Sequence, residues 1–155
     1  MKTEEVWRPG EQDHRTLAIW AADCADHVLP YFEEQHPEDN RPRAALAAGR
    51  AWARGELAVS EVREAAFSAH AAARDADDAA AIAAARAAGH AAATAHVAEH
   101  ARHAADYAVK AAHPTDAGAA AATERDWQVR RLPKHLRPFV FPHRSGSREL
   151  PEISV

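Results

Sequence analysis

The sequence predicts an all-α fold, a single-domain, Ala-rich bundle of about five helices. Three observations carry that prediction. Alanine, the residue with the highest helix propensity, fills 42 of the 155 positions. Aromatic residues make up only 6%, too few for the aromatic and β-branched faces of a sheet protein. Through most of the chain, apolar residues recur at steps of three and four, the period of an amphipathic helix. A chain of this length suits one domain and buries enough surface to fold without a staple. Residues 1–12 read as a flexible lead-in, 13–141 as the helical domain and 142–155 as a flexible tail.

Each element has its own justification. Asp13 is placed to cap a first helix whose Leu17, Trp20, Ala21, Cys24, Val28 and Tyr31 form one stripe, with Asp23 and Asp26 pointing away from it. Pro30 should kink or end that helix. Asn40 before Arg41-Pro42 starts a second helix that stops at Gly55. Ser60 is expected to cap a third, with Val62, Ala65, Ala66, Ala69 and Ala73 as a narrow small-residue face. The run from Asp77 to Ala112 reads as one long helix, or as two broken near Gly89, and His113-Pro114 closes it. A further helix over 116–132 and a short segment between Pro133 and Pro138 complete the domain. Alanine faces bury little area each, so the core should hang on Leu17, Trp20, Val28, Phe32, Leu46, Trp52, Phe67, Ile82, Val97, Tyr107, Trp127 and Leu132. A weak internal echo relates AAFSAHAAA at 65–73 to ARAAGHAAA at 85–93, although alanine use alone can account for it.

Composition limits function. The net charge is −4, which offers no general attraction to nucleic acid or membranes. No stretch of the length that spans a bilayer is free of charges. The N-terminus has no apolar core of a secretory leader, and the single cysteine, Cys24, excludes an internal disulfide, so a cytoplasmic location is expected. Charge is uneven. Residues 1–39 hold ten acids against Lys2, Arg8 and Arg15, whereas 125–148 are basic. An acidic surface can steer a basic partner, with Glu33, Glu34, Glu38 and Asp39 as candidate partner-binding residues. The simpler expectation is that these acids pair with the chain's own arginines. Arg43, Arg50 and Arg54 lie along one side of the second helix.

Few motifs carry chemistry. Gly-rich phosphate loops and the nucleophile elbow are absent from the sequence. His96-Val97-Ala98-Glu99-His100 fits H-x-x-E-H, which on a helix puts two imidazoles one turn apart with a general base between them. The inverted zinc proteases that use it are far larger and need a distant third ligand. A looser metal set is His96, His100 and His103, at steps of four and three on one face, with a divalent metal such as zinc as its ligand. A solvated stripe is the plainer reading, because Glu99, Asp106 and Lys110 share that side. His90 sits off the stripe and reads as a packed, hydrogen-bonded histidine. Cys24 reads as a small buried hydrophobe.

In order along the chain, IWAADCADHVLPYFEE, RPRAALAAGRAWARGE, EAAFSAHAAARDA, AARAAGHAAATAHVAEHARHAADYAVKAA and ERDWQVRRLPKHLRPFV resemble the small helical immunity proteins of bacterial polymorphic toxin systems, the immunity-protein-five-like group. The resemblance covers about residues 13–141. WAADCA, RPR with the later Trp52 and Gly55, AHAAAR, AGHAAATAHV and the WQ…LP..LR end are its most distinctive pieces. The family positions found here are Trp20, Asp23, Cys24, Arg41, Pro42, Arg43, Trp52, His70, Arg74, His90, His96, His100 and Tyr107, with no catalytic assignment attached; Glu99 lies outside the pattern. The resemblance implies a non-enzymatic protein, without a cofactor, that binds a cognate toxin and occludes its active site. Asp23, Arg43, His70, His90, His96 and His100 stand out as a polar network or pocket lining. They keep an alternative open, a helical metal- or small-molecule-binding protein or enzyme built on a histidine-lined centre. A homodimer through an alanine face is a third expectation.

Overall fold

The computed structural model describes residues 8–112 and 118–142. In chain order the helices are α1 (Glu11–Val28), α2 (Pro30–Glu33), α3 (Arg41–Ala53), α4 (Val59–Asp75), α5 (Ala79–Ala93), α6 (His100–Ala112), α7 (Ala119–Arg131) and α8 (Arg137–Val140), with a 3₁₀ turn at Lys134–Leu136 before the last. No strand occurs among the described residues. The all-α expectation holds, but the α-helices of the described residues number eight rather than about five. Two of the extra ones are four-residue helices with proline in their first turn, Pro30 in α2 and Pro138 in α8. There the fixed proline φ starts a helix and the missing N–H costs nothing.

The bundle is organised around α5. Nine of its fifteen residues are buried, eight alanines and Gly89. A helix apolar on nearly every side must be enclosed, and α1, α2, α3, α4 and α6 all pack on it. Small side chains permit close approach. A methyl built on Gly49 of α3 would already touch the Ala92 backbone at 3.5 Å. Larger residues fill the remaining space: Leu17, Trp20, Val28, Phe32, Leu46, Leu132 and Leu136 are all buried. Trp52, Ile82, Tyr107 and Trp127 pack against this core while partly exposed. Phe67 does not join it. Its ring is 63% exposed on α4 with the Arg63 guanidinium 6.0 Å above it, because alanines alone fill the buried face of α4 beyond Val62.

Local signals were obeyed in part. Gly55 carries φ +80° just after α3, the left-handed conformation that glycine adopts without steric cost. Asp78 caps α5, its carboxylate accepting from the Ala81 N–H at 3.0 Å. Ser60 is not the cap of α4. The helix begins one residue earlier, and Glu61 reaches back to the Ala58 N–H at 3.3 Å. Likewise α1 starts at Glu11, ahead of Asp13.

The run from 77 to 112 breaks, but not at Gly89, which lies inside α5. The chain leaves the helix after Ala93 and turns through 94–99 before α6 begins. Thr94 is buried, and its hydroxyl donates back to the His90 carbonyl at 3.0 Å. Its own carbonyl accepts from His14 Nε2 of α1 at 2.7 Å. A contact from eighty residues away thus takes the acceptor that a continuing helix would use. The result is an α5–α6 hairpin. Residues 1–7 of the expected 1–12 lead-in, the junction at His113-Pro114 and residues 143–155 of the expected 142–155 tail lie outside the described residues.

Candidate functional site

Four histidines meet where α4, α5 and α6 face one another. His70 comes from α4, His90 from the last turn of α5, and His100 and His103 from the first turn of α6. His90 is the hub. His70 meets it edge-on with ring centres 4.9 Å apart, and His103 does the same at 5.3 Å. His100 is stacked at 5.2 Å and Tyr107, one turn further along α6, at 5.3 Å with planes only 8° apart. All five side chains are half-buried. His90 Nδ1 and His100 Nδ1 are 3.1 Å apart, so one nitrogen donates and the other accepts.

Arg86, one turn before His90, donates from Nη1 to His70 Nδ1 at 2.9 Å. A guanidinium has no lone pair to offer, so His70 Nδ1 must be unprotonated. Its ring rests on Gly89, where a methyl would lie 2.6 Å from Nε2.

Burial lowers the pKa of three of these rings. Burial, with Arg86, Arg74 and His100 adding repulsion, lowers the His70 pKa to about 4. Burial followed by the repulsion of His70, His100, His103 and Arg86 lowers that of His90 to about 3. His100 is lowered too, chiefly by burial, against the opposing pull of Glu99. At neutral pH these three imidazoles are uncharged; the lone pair of His70 is already taken by Arg86.

The structure therefore reassorts the expected set. His100 and His103 come together with His90, and their ligand atoms lie within 4.8 Å of one another. His96 is exposed in the 94–99 turn. The H-x-x-E-H spacing consequently falls off the helix, and its two histidines do not sit one turn apart on a common face. His90 was legible as a polar position but not as the centre of a cluster. The echo between 65–73 and 85–93 held the available signal, since it aligns His70 with His90.

Asp23 and Arg43 belong elsewhere, to an ionic lattice between α1 and α3. Arg50 pairs with Asp23 at 3.0 Å and Asp26 at 3.4 Å, Arg43 with Asp26 at 3.0 Å and Glu33 at 2.9 Å, and Arg131 with Asp23 at 3.4 Å. Asp39 is held by Arg41 at 2.7 Å, and the hydrogen bonds from Arg41 depress its carboxyl pKa. Of the four candidate partner-binding acids, Glu33 and Asp39 are therefore engaged within the chain, while Glu34 and Glu38 are exposed. Glu38 lines a shallow depression together with His36, Pro37, Asp39 and Arg41. Cys24 is fully buried, and burial together with Asp23 and Glu124 raises its thiol pKa far above the usual range.

These features define a class, small α-helical proteins with an alanine core, an outer face of paired charges and an inner group of clustered histidines. The chain belongs to the family described as Imm-5 like putative immunity protein, whose family model matches residues 8–135. No curated protein and no solved structure matches the chain.

Proposed function

We propose that this protein neutralises a cognate bacterial toxin by binding it and covering its active site. Family membership across residues 8–135 is the observation that carries the reading. The structure contributes a preformed surface. The backbone is held in packed helices, so little conformational entropy is lost on docking. We place the edge of the interface at α2 and the following loop. There Tyr31 is 43% exposed beside the exposed acids Glu34 and Glu38. A half-exposed tyrosine flanked by carboxylates suits a basic partner surface, with the ring as anchor and the acids steering approach. No helix of the described residues is long and apolar enough to cross a membrane, in keeping with a protein that acts in the cytoplasm.

The test is co-expression with toxins encoded beside the gene. Growth should be restored against one of them, and Tyr31→Ala with Glu34→Lys and Glu38→Lys should weaken protection while leaving the fold intact by circular dichroism. Failure to restore growth against every adjacent toxin would overturn the reading.

A further inference from the structure

We propose that His90, His100 and His103 form a binding site for a divalent transition metal, zinc foremost, which clasps the α5–α6 hairpin. Such a site goes beyond toxin binding and does not depend on it.

Zinc holds imidazole nitrogens at about 2.0–2.1 Å in a tetrahedron, so two such ligands lie roughly 3.4 Å apart. His90 Nδ1 and His100 Nδ1 are 3.1 Å apart without help. The three ligand atoms all fall within 4.8 Å of one another, so small rotations of half-buried rings about their side-chain bonds bring the third to bonding distance. The donors also come from two segments separated by the 94–99 turn, with His90 in the last turn of one helix and His100 as the first residue of the next. That arrangement lets a bound ion hold a hairpin which no disulfide can hold.

The chemistry of the set agrees. Neutral imidazole is a ligand type that zinc, copper and nickel favour over calcium or magnesium. In the close Nδ1 pair one nitrogen carries hydrogen; on metal binding that ring takes its other neutral tautomer, with no net proton release. Three protein ligands leave a fourth position for water, the count of an open zinc site. The surroundings hold the ligands in place. Tyr107 stacks flat on His90, and His70, fixed by Arg86, abuts its edge. Packing on both sides restricts rotation of the His90 ring.

The experiment titrates the chelator-treated full chain separately with Zn²⁺ and Co²⁺. The expected result is one equivalent bound, visible d–d bands of low-symmetry Co²⁺ and a raised melting temperature in Zn²⁺. His100→Gln and His103→Gln should each weaken Zn²⁺ affinity about 100-fold or more. His96→Gln, in the exposed turn, should leave it unchanged. Each variant is compared with wild type by circular dichroism without metal. Absence of stoichiometric Zn²⁺ binding by the wild-type chain would overturn the proposal, whatever the variants do. So would binding that survives both His100→Gln and His103→Gln, or that disappears in His96→Gln.

Discussion

The imidazole of His70 lies directly on the bare Cα of Gly89, so closely that a methyl there would sit 2.6 Å from Nε2 and 2.7 Å from Cε1. This contact decides how α4 meets α5 beside the histidine group. The ring cannot simply swing aside, because Arg86 grips its Nδ1 and His90 abuts it. Glycine inside a helix normally weakens it. Here it provides the seat for a ring from the neighbouring helix.

Gly89→Ala should therefore destabilise the protein despite the better helix former. Overpacking costs about 1–3 kcal/mol and the propensity gain returns about 1 kcal/mol, leaving a net loss of about 1 kcal/mol in urea unfolding. In a His70→Ala background the same change should be neutral or stabilising. A Gly89→Ala penalty that is the same in both backgrounds would refute the seat.

Stability of the metal-free chain should fall as the medium is acidified from pH 7 towards pH 4. His70 ionises near 6.5 when unfolded but at about 4 when folded, so below 6.5 the unfolded chain binds the extra proton and is favoured. Arg86 and Arg74 press in the same direction from α5 and α4. Urea midpoints measured at intervals across this range should decline, and His70→Gln should flatten the decline. A wild-type midpoint constant from pH 7 to 5 would contradict it.

Gln128 should be the costliest polar position to lose. Fully buried on α7, it donates from Nε2 to the Ala105 carbonyl at 2.9 Å and accepts from Arg125 at 2.8 Å. Its backbone carbonyl accepts from Trp20 Nε1 at 2.9 Å. Gln128→Leu keeps the volume and the Trp20 bond but removes the acceptor of Arg125 Nη1 and the donor to the Ala105 carbonyl, while Arg125 keeps its pairing with Asp106, a cost of about 1–3 kcal/mol. Chemical denaturation measures it.

Cys24 should be inert in the native protein. The thiolate is the reactive form, and burial raises this thiol well above its usual range. Labelling by an aromatic disulfide reagent should proceed about 100-fold or more slower than in urea. Fast native labelling would show that α1 opens locally.

The sequence by itself determined what short-range chemistry controls. Alanine content and three-four spacing specified the helices. Pro30 ended α1 and Gly55 followed α3 with positive φ. The alternation of acids on α1 with arginines on α3 foreshadowed the pairing of Asp23 and Asp26 with Arg43 and Arg50. Tertiary structure decided the rest. Nothing between Thr94 and Glu99 is a glycine or a proline; at the break, His14 from across the bundle bonds the Thr94 carbonyl. That break moves His96 into solvent and turns α6 back so that His100 and His103 meet His90. Phe67 stayed outside the core because its exposure depends on which face of α4 meets α5. A repeating pattern along one strand of residues records local helix geometry, whereas the pairing of distant rings depends on where the chain reverses, and that is set by contacts separated widely in sequence.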